Sequence, residues 1–159
     1  MTDPCPPTIS FFAAGTPRPK ARPRHVGGRV VSTVKPAEKV WRAAVERACR
    51  EAIESLGLPL PLYPARIPFE ARMLFTFKTA DLDRIGTWHT QKPDKDNLEK
   101  LVLDVMVRCG LIADDSGANR GPVEKVWGHR PGVAVVLAPL GALERESVSW
   151  GGMVAPDWL

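Results

Sequence analysis

Residues 92–115 read KPDKDNLEKLVLDVMVRCGLIADD, and this stretch decides how the chain is assembled. Pro93 restrains Lys92 to extended backbone, which puts Asp94 at or just before a helix start. Leu98, Leu101, Val102, Val105, Met106 and Cys109 recur at helical spacing until Gly110 stops the run, predicting a helix over Asp96 to Cys109. Asp96, Lys100 and Asp104 follow at steps of four along one flank, while Leu98, Leu101, Val102 and Val105 occupy another that buries against a sheet. One edge of a buried helix thus carries carboxylate, ammonium, carboxylate. The turn after Gly110 is expected to bring Asp114 and Asp115 back toward that edge.

Outward from this helix the pattern alternates between strand and helix. Phe69 to Phe77 places Phe69, Ala71, Met73, Phe75 and Phe77 on one face and Glu70, Arg72 and Lys78 on the other, a half-buried strand. Thr79 to Gln91 is polar and reads as a loop, with Asp81-Leu82-Asp83 solvated and His89 either solvated or, being near the carboxylates, facing a substrate. Val123 to Trp127 and Val133 to Leu137 are two further strands. Before them, Thr8 to Ala14 is a strand, and Arg29 to Ser32 closes a hairpin through Gly27-Gly28. Pro36 to Leu56 is a helix with Pro36 in its first turn, Thr33 or Ser32 as cap, and Gly57 past its end. The expected fold is α+β, a small mixed sheet with two main helices packed on it. Residues 1–140 form the domain, and 141–159 a C-terminal tail whose Trp150 and Trp158 could dock on the body or a partner.

The 159 residues suit one domain with a sizeable core, and 44% apolar with 25% charged residues argues against wholesale disorder. No run reaches the ~18 apolar residues of a membrane span. No signal peptide is read at the N-terminus. Cys5, Cys49 and Cys109 support neither a disulfide framework nor a zinc site, so a reducing cytoplasm is expected. The net charge of +4 is unevenly distributed. Residues 17–50 hold ten basic side chains against Glu38 and Glu46, a net of +8 that leaves −4 for the remainder. Within it, Pro17 to Arg24 (PRPKARPR) is a proline-stiffened arm carrying Arg18, Lys20, Arg22 and Arg24. A basic front beside an acidic site suits a polyanionic partner; a solvated charged surface is the plainer alternative.

Carboxylates forced together resist ionising unless a cation joins them. An oxygen-only donor set favours Mg²⁺ or Mn²⁺ over Zn²⁺, and such a site supports phosphodiester hydrolysis. The same residues also admit structural roles, with Asp94 and Asp96 as helix caps and Asp96–Lys100 as a surface pair. An EF-hand is excluded, because Leu98, Glu99 and Val105 stand where its Asp or Asn, Gly and Glu belong.

The run Lys92-Pro93-Asp94-Lys95-Asp96-Asn97-Leu98, with Lys100, Asp104, Gly110 and Asp114-Asp115, resembles the signature of the RusA family of Holliday junction resolvases. The PRPKARPR arm is similar to that family's basic N-terminal segment, and the order of elements matches over roughly Ile9 to Leu137. The resemblance implies a small homodimeric, magnesium-dependent endonuclease, of phage or prophage type, that resolves four-way DNA junctions by paired symmetric nicks in recombination and repair. It implies Asp94, Asp96 and Asp115 as metal-binding carboxylates, Lys100 as the catalytic lysine, and Asn97, Asp104 and Asp114 in support. The arm cations would bind DNA. Ser116 to Pro122 departs from the family pattern, being looser and carrying two glycines. A DNA-binding protein without catalysis, or a nuclease for flaps and other branched DNA, are the rival readings.

Overall fold

A computed structural model describes residues 5–31 and 33–140, so the tail with Trp150 and Trp158 lies outside the described residues. Five strands form one mixed sheet. β1 (Ile9–Ala14) pairs antiparallel with β7 (Gly132–Pro139), and β7 pairs antiparallel with β4 (Phe69–Lys78). The other edge of β4 is met in parallel by β5 (Ala118–Arg120) and then β6 (Val123–Gly128). A parallel return requires a crossover, and α2 (Lys95–Arg108) supplies it. A separate two-stranded hairpin joins β2 (Arg24–Val26) to β3 (Arg29–Val31), and every residue of its strands is exposed. The α+β architecture expected from the sequence is the one observed.

The core is built where the two helices cover the sheet. α1 (Pro36–Leu56) buries Trp41, Val45 and Cys49 and packs against β1 and α2. Pro36 does open the helix and Gly57 closes it in the left-handed conformation (φ 59°), but the N-cap is Lys35, with no side-chain cap bond. Thr33 is therefore not the cap, and Val40 is exposed although it is apolar. α2 buries Leu98, Leu101, Val102, Val105 and Met106 completely. Cys49 and Cys109, distant in sequence, meet between the helices; burial pushes the Cys49 thiol far up, as expected of inert core cysteines.

β4 is more enclosed than a half-buried strand. Its core-facing Phe69, Ala71, Met73, Phe75 and Phe77 are buried, but so are Glu70 and Thr76 on the other face. Arg72 donates to Glu70 at 2.8 Å, so the buried carboxylate has a partner of opposite charge. The loose segment before β6 has a packing reason. A Cβ on Gly121 (φ 140°) would stand 1.8 Å from the Ala71 carbonyl oxygen, and one on Gly117 2.6 Å from the Phe69 ring. The two glycines let Ser116 to Pro122 lie directly on β4, where sequence reading missed β5.

Candidate active site

Two features of local sequence place the carboxylates. The Lys92–Pro93 peptide, which is cis, leads into α2, and Asp94 takes its N-cap position with extended backbone (φ −72°, ψ 142°). Aspartate at this position commonly accepts a bond from the first turn. Here it does not: the Asp94 carbonyl accepts from the Leu98 N–H at 3.3 Å, while the carboxylate makes no cap bond. Asp96 lies two residues further, in the first turn. Both side chains are exposed, as is Lys100, and neither Asp94 nor Lys100 enters an ion pair among the described residues.

Asp115 is placed differently. It opens a 3₁₀ turn (Asp115–Gly117) that packs against α2 and leads into β5 beside Phe69, at the start of β4. Pro93, by contrast, is bonded to Lys125, which lies level with Phe75. The fourteen residues of α2 rise about 21 Å between these ends. Within one chain the turn after Gly110 therefore does not return Asp114 and Asp115 to the edge bearing Asp94 and Asp96. Asp114 is engaged locally: its Oδ1 accepts from the Ser116 N–H at 2.7 Å, and hydrogen bonds from Ser116, side chain and backbone, hold its carboxyl below the usual range.

The proline-stiffened arm is docked against this helix. The Lys20 N–H donates to the Asn97 carbonyl at 3.1 Å, and the Ala21 N–H to Glu38 Oε2 at 3.1 Å. Glu38 is buried and also accepts from Arg42, so one carboxylate of α1 clamps the arm. Sequence reading saw Glu38 only as an opposing charge. The Lys20 ammonium pairs with Asp104, and Arg22 bonds Asn97 Oδ1 at 3.2 Å while lying 3.5 Å from Asp96. The Arg22–Asp96 pair is about 70% exposed on both sides, so water and salt screen it heavily. Arg18 and Arg24 are exposed and enter no ion pair among the described residues.

The loop before the site is more ordered than its polarity suggests. Thr87 to His89 runs along β6, with His89 N–H on the Lys125 carbonyl and Trp127 N–H on the Thr87 carbonyl, each at 2.9 Å. His89 is not solvated: it is 5% exposed, between the rings of Phe77 (4.0 Å) and Trp127 (4.3 Å). Burial, then the nearby Lys125 charge, holds its imidazole below the usual histidine range. Asp81-Leu82-Asp83 is exposed as read, and at this surface Asp81 accepts from the Asp83 N–H and pairs with Arg84. Beside Asp96, burial raises Glu99, opposed by the Lys95 charge and reinforced by that of Asp96.

The donor set at the start of α2 is carboxylate only, which suits a hard cation. Among the described residues no group of three or more His, Cys, Asp or Glu converges to hold an ion. Magnesium typically takes one or two carboxylates and completes its shell with water and substrate phosphate, and Asp94 with Asp96 fits that demand. The N-terminus of α2 adds a positive pole favourable to phosphate. No helix among the described residues is long and apolar enough to cross a membrane.

The family model described as Endodeoxyribonuclease RusA matches residues 14–138. A search of curated proteins returned no match.

Proposed function

Because the chain belongs to the RusA family of endodeoxyribonucleases, we propose that it is a magnesium-dependent resolvase that cuts four-way DNA junctions by paired symmetric nicks. One observation carries the reading: at the N-cap of α2, where aspartate would ordinarily bond its own backbone, the Asp94 carboxylate is left uncommitted next to Asp96. Asp94 and Asp96 would hold the ion, with Mn²⁺ able to substitute; Asp115, at the other end of α2, does not reach that ion within one chain. A bound divalent ion supplies Lewis acidity to the scissile phosphate and its leaving oxygen. The chain's own groups do the remainder. Lys100, one turn from Asp96 and in no ion pair among the described residues, offers a cation to the charge that develops on the phosphate. Arg18 and Arg24 take the flanking phosphates, while Lys20 neutralises Asp104 so that the helix flank does not repel the polyanion. Asn97 fixes the arm to α2 through its carbonyl and its side chain.

Two symmetric nicks need two sites, and a two-fold homodimer supplies both with one interface. The decisive experiment incubates the purified chain with a labelled four-way junction, a flap and a linear duplex, in Mg²⁺ and in EDTA, with sedimentation to read its mass. Paired nicks in the junction that require Mg²⁺, from a dimer, are expected. Binding without cleavage in any divalent metal would make it a DNA-binding module, and preferential cutting of the flap would make it a nuclease for other branched DNA.

A further inference from the structure

Lys125 is a charge in an apolar place. In register with Phe75 and flanked on its strand by Val123 and Trp127, which pack on the core, it projects from the helix-covered face of the sheet. Its ammonium has two short bonds, to the Gln91 carbonyl at 2.7 Å and the Pro93 carbonyl at 2.8 Å. Those carbonyls bracket Lys92, and the residue after Pro93 is Asp94. The backbone of Lys125 is tied to the same segment, since its carbonyl accepts from the His89 N–H at 2.9 Å. One strand of the sheet thus grips the chain leading into α2 at three points.

We propose that Lys125 is a positioning residue for the nuclease site, holding the Gln91–Pro93 backbone so that Asp94 and Asp96 are presented in one fixed geometry; this rests on the metal-dependent reading above. The physical reason is entropic and directional. Among the described residues Asp94 makes no side-chain cap bond that would orient it, so its position depends on the backbone before it. Two charge-assisted bonds to carbonyls fix that backbone more firmly than neutral ones would. Removing such supporting groups around a metal typically costs 10- to 100-fold in affinity or activity.

The test compares Lys125→Met, which keeps length without donors, and Lys125→Arg, which keeps the charge, with the parent chain. Three quantities are read: amide hydrogen exchange of residues 91–97 without metal, Mn²⁺ affinity by calorimetry without DNA, and the Mg²⁺ dependence of junction cleavage. Lys125→Met should exchange faster at 91–97, bind Mn²⁺ about 10- to 100-fold more weakly, and need correspondingly more Mg²⁺ for half-maximal cutting. Junction binding in EDTA should hold, and Lys125→Arg should recover most of the loss. Unchanged exchange in Lys125→Met overturns the proposal whether or not the chain is a nuclease. So does faster exchange with parental Mn²⁺ affinity and cleavage, which would make the grip merely structural. Should Lys125→Met fail to fold, Lys125→Gln, which keeps a donor but loses the charge, decides in its place: faster exchange at 91–97 together with weaker Mn²⁺ binding is expected, and parental values of either overturn the proposal. A parent chain that neither binds Mn²⁺ nor cuts DNA would instead defeat the nuclease reading, and with it the positioning role, while the exchange rates would still show whether Lys125 holds the segment.

Discussion

Asp94 and Asp114 each stand one residue ahead of a helical segment, and the two carboxylates are used in opposite ways. Asp114 bonds the Ser116 N–H at 2.7 Å and so stabilises its own turn. Asp81, ahead of the 3₁₀ turn at Leu82–Arg84, does the same with the Asp83 N–H. Asp94, ahead of the longest segment of the three, α2, makes no such bond. A capping aspartate satisfies an orphan donor of the helix end. Where that opportunity is declined, the carboxylate remains available to something outside the chain. Type and position in sequence are the same in each case; the difference lies in where the side chain is turned.

The sharpest way to break this contrast is to neutralise the carboxylates. Asp94→Asn and Asp96→Asn keep side-chain size but remove a metal-ligand charge, and junction cleavage should fall by at least about 100-fold. Junction binding, read by gel shift in Ca²⁺, should hold or tighten, because negative charge has been removed near a polyanion. Robust cleavage by either variant would return Asp94 to the company of Asp114. Next in size is Lys100→Ala, which should slow cutting about 100-fold without changing Mn²⁺ affinity, since it offers a donor to the phosphate and not to the ion. Parental cleavage rates there would leave Lys100 an ordinary surface residue.

A smaller effect divides the arm. Arg18→Ala and Arg24→Ala should weaken binding to all DNA sequences and each flatten the salt dependence by roughly one counterion. Lys20→Ala should do so much less, because Lys20 is engaged with Asp104. A change in which sequence is cut, with affinity held, would make the arm a base reader. His89 provides a control for pH work. Its folded value lies below the ordinary one, so above about pH 6.5 both folded and unfolded states are neutral and its contribution is full. As pH falls through the folded value, the unfolded chain binds a proton more readily and that stability is lost. Melting temperature should therefore drop below about pH 6.5 in the parent and less in His89→Phe; equal slopes would contradict the burial assignment. Smallest of all is Asp114→Asn, expected to trim thermal stability slightly and leave Mn²⁺ affinity intact. A loss of cleavage matching that of Asp94→Asn would erase the distinction between the two aspartates.

Much of this was legible because it rests on periodicity. Leu98, Leu101, Val102 and Val105 can serve one purpose at their spacing, and they are buried as their pattern implies. The long run from Lys92 to Asp115 likewise pointed to the family that the chain matches. What stayed hidden depended on partners remote in sequence. Glu38 looks like any charge on a helix, with Arg42 one turn on, until the Ala21 N–H of the arm is brought to it. His89 sits in a polar stretch whose burial is imposed by Phe77 and Trp127. The expectation that Asp115 returns to Asp94 overlooked the length of the helix between them. Lys125, in a strand otherwise read for its valines and tryptophan, gave no signal of its own, since its bonds are to backbone carbonyls that sequence cannot mark.

The docking of the arm also sets an order in time. Arg22 and Asn97 are 75 positions apart, so at typical synthesis rates of about 5–20 residues per second the arm is made roughly 4 to 15 seconds before its partner on α2. During that interval the nascent chain carries its densest cluster of cations with none of the α2 carboxylates to answer it. The emerging protein is at its most basic, and most open to indiscriminate attachment to nucleic acid, well before the residues that would cut it exist.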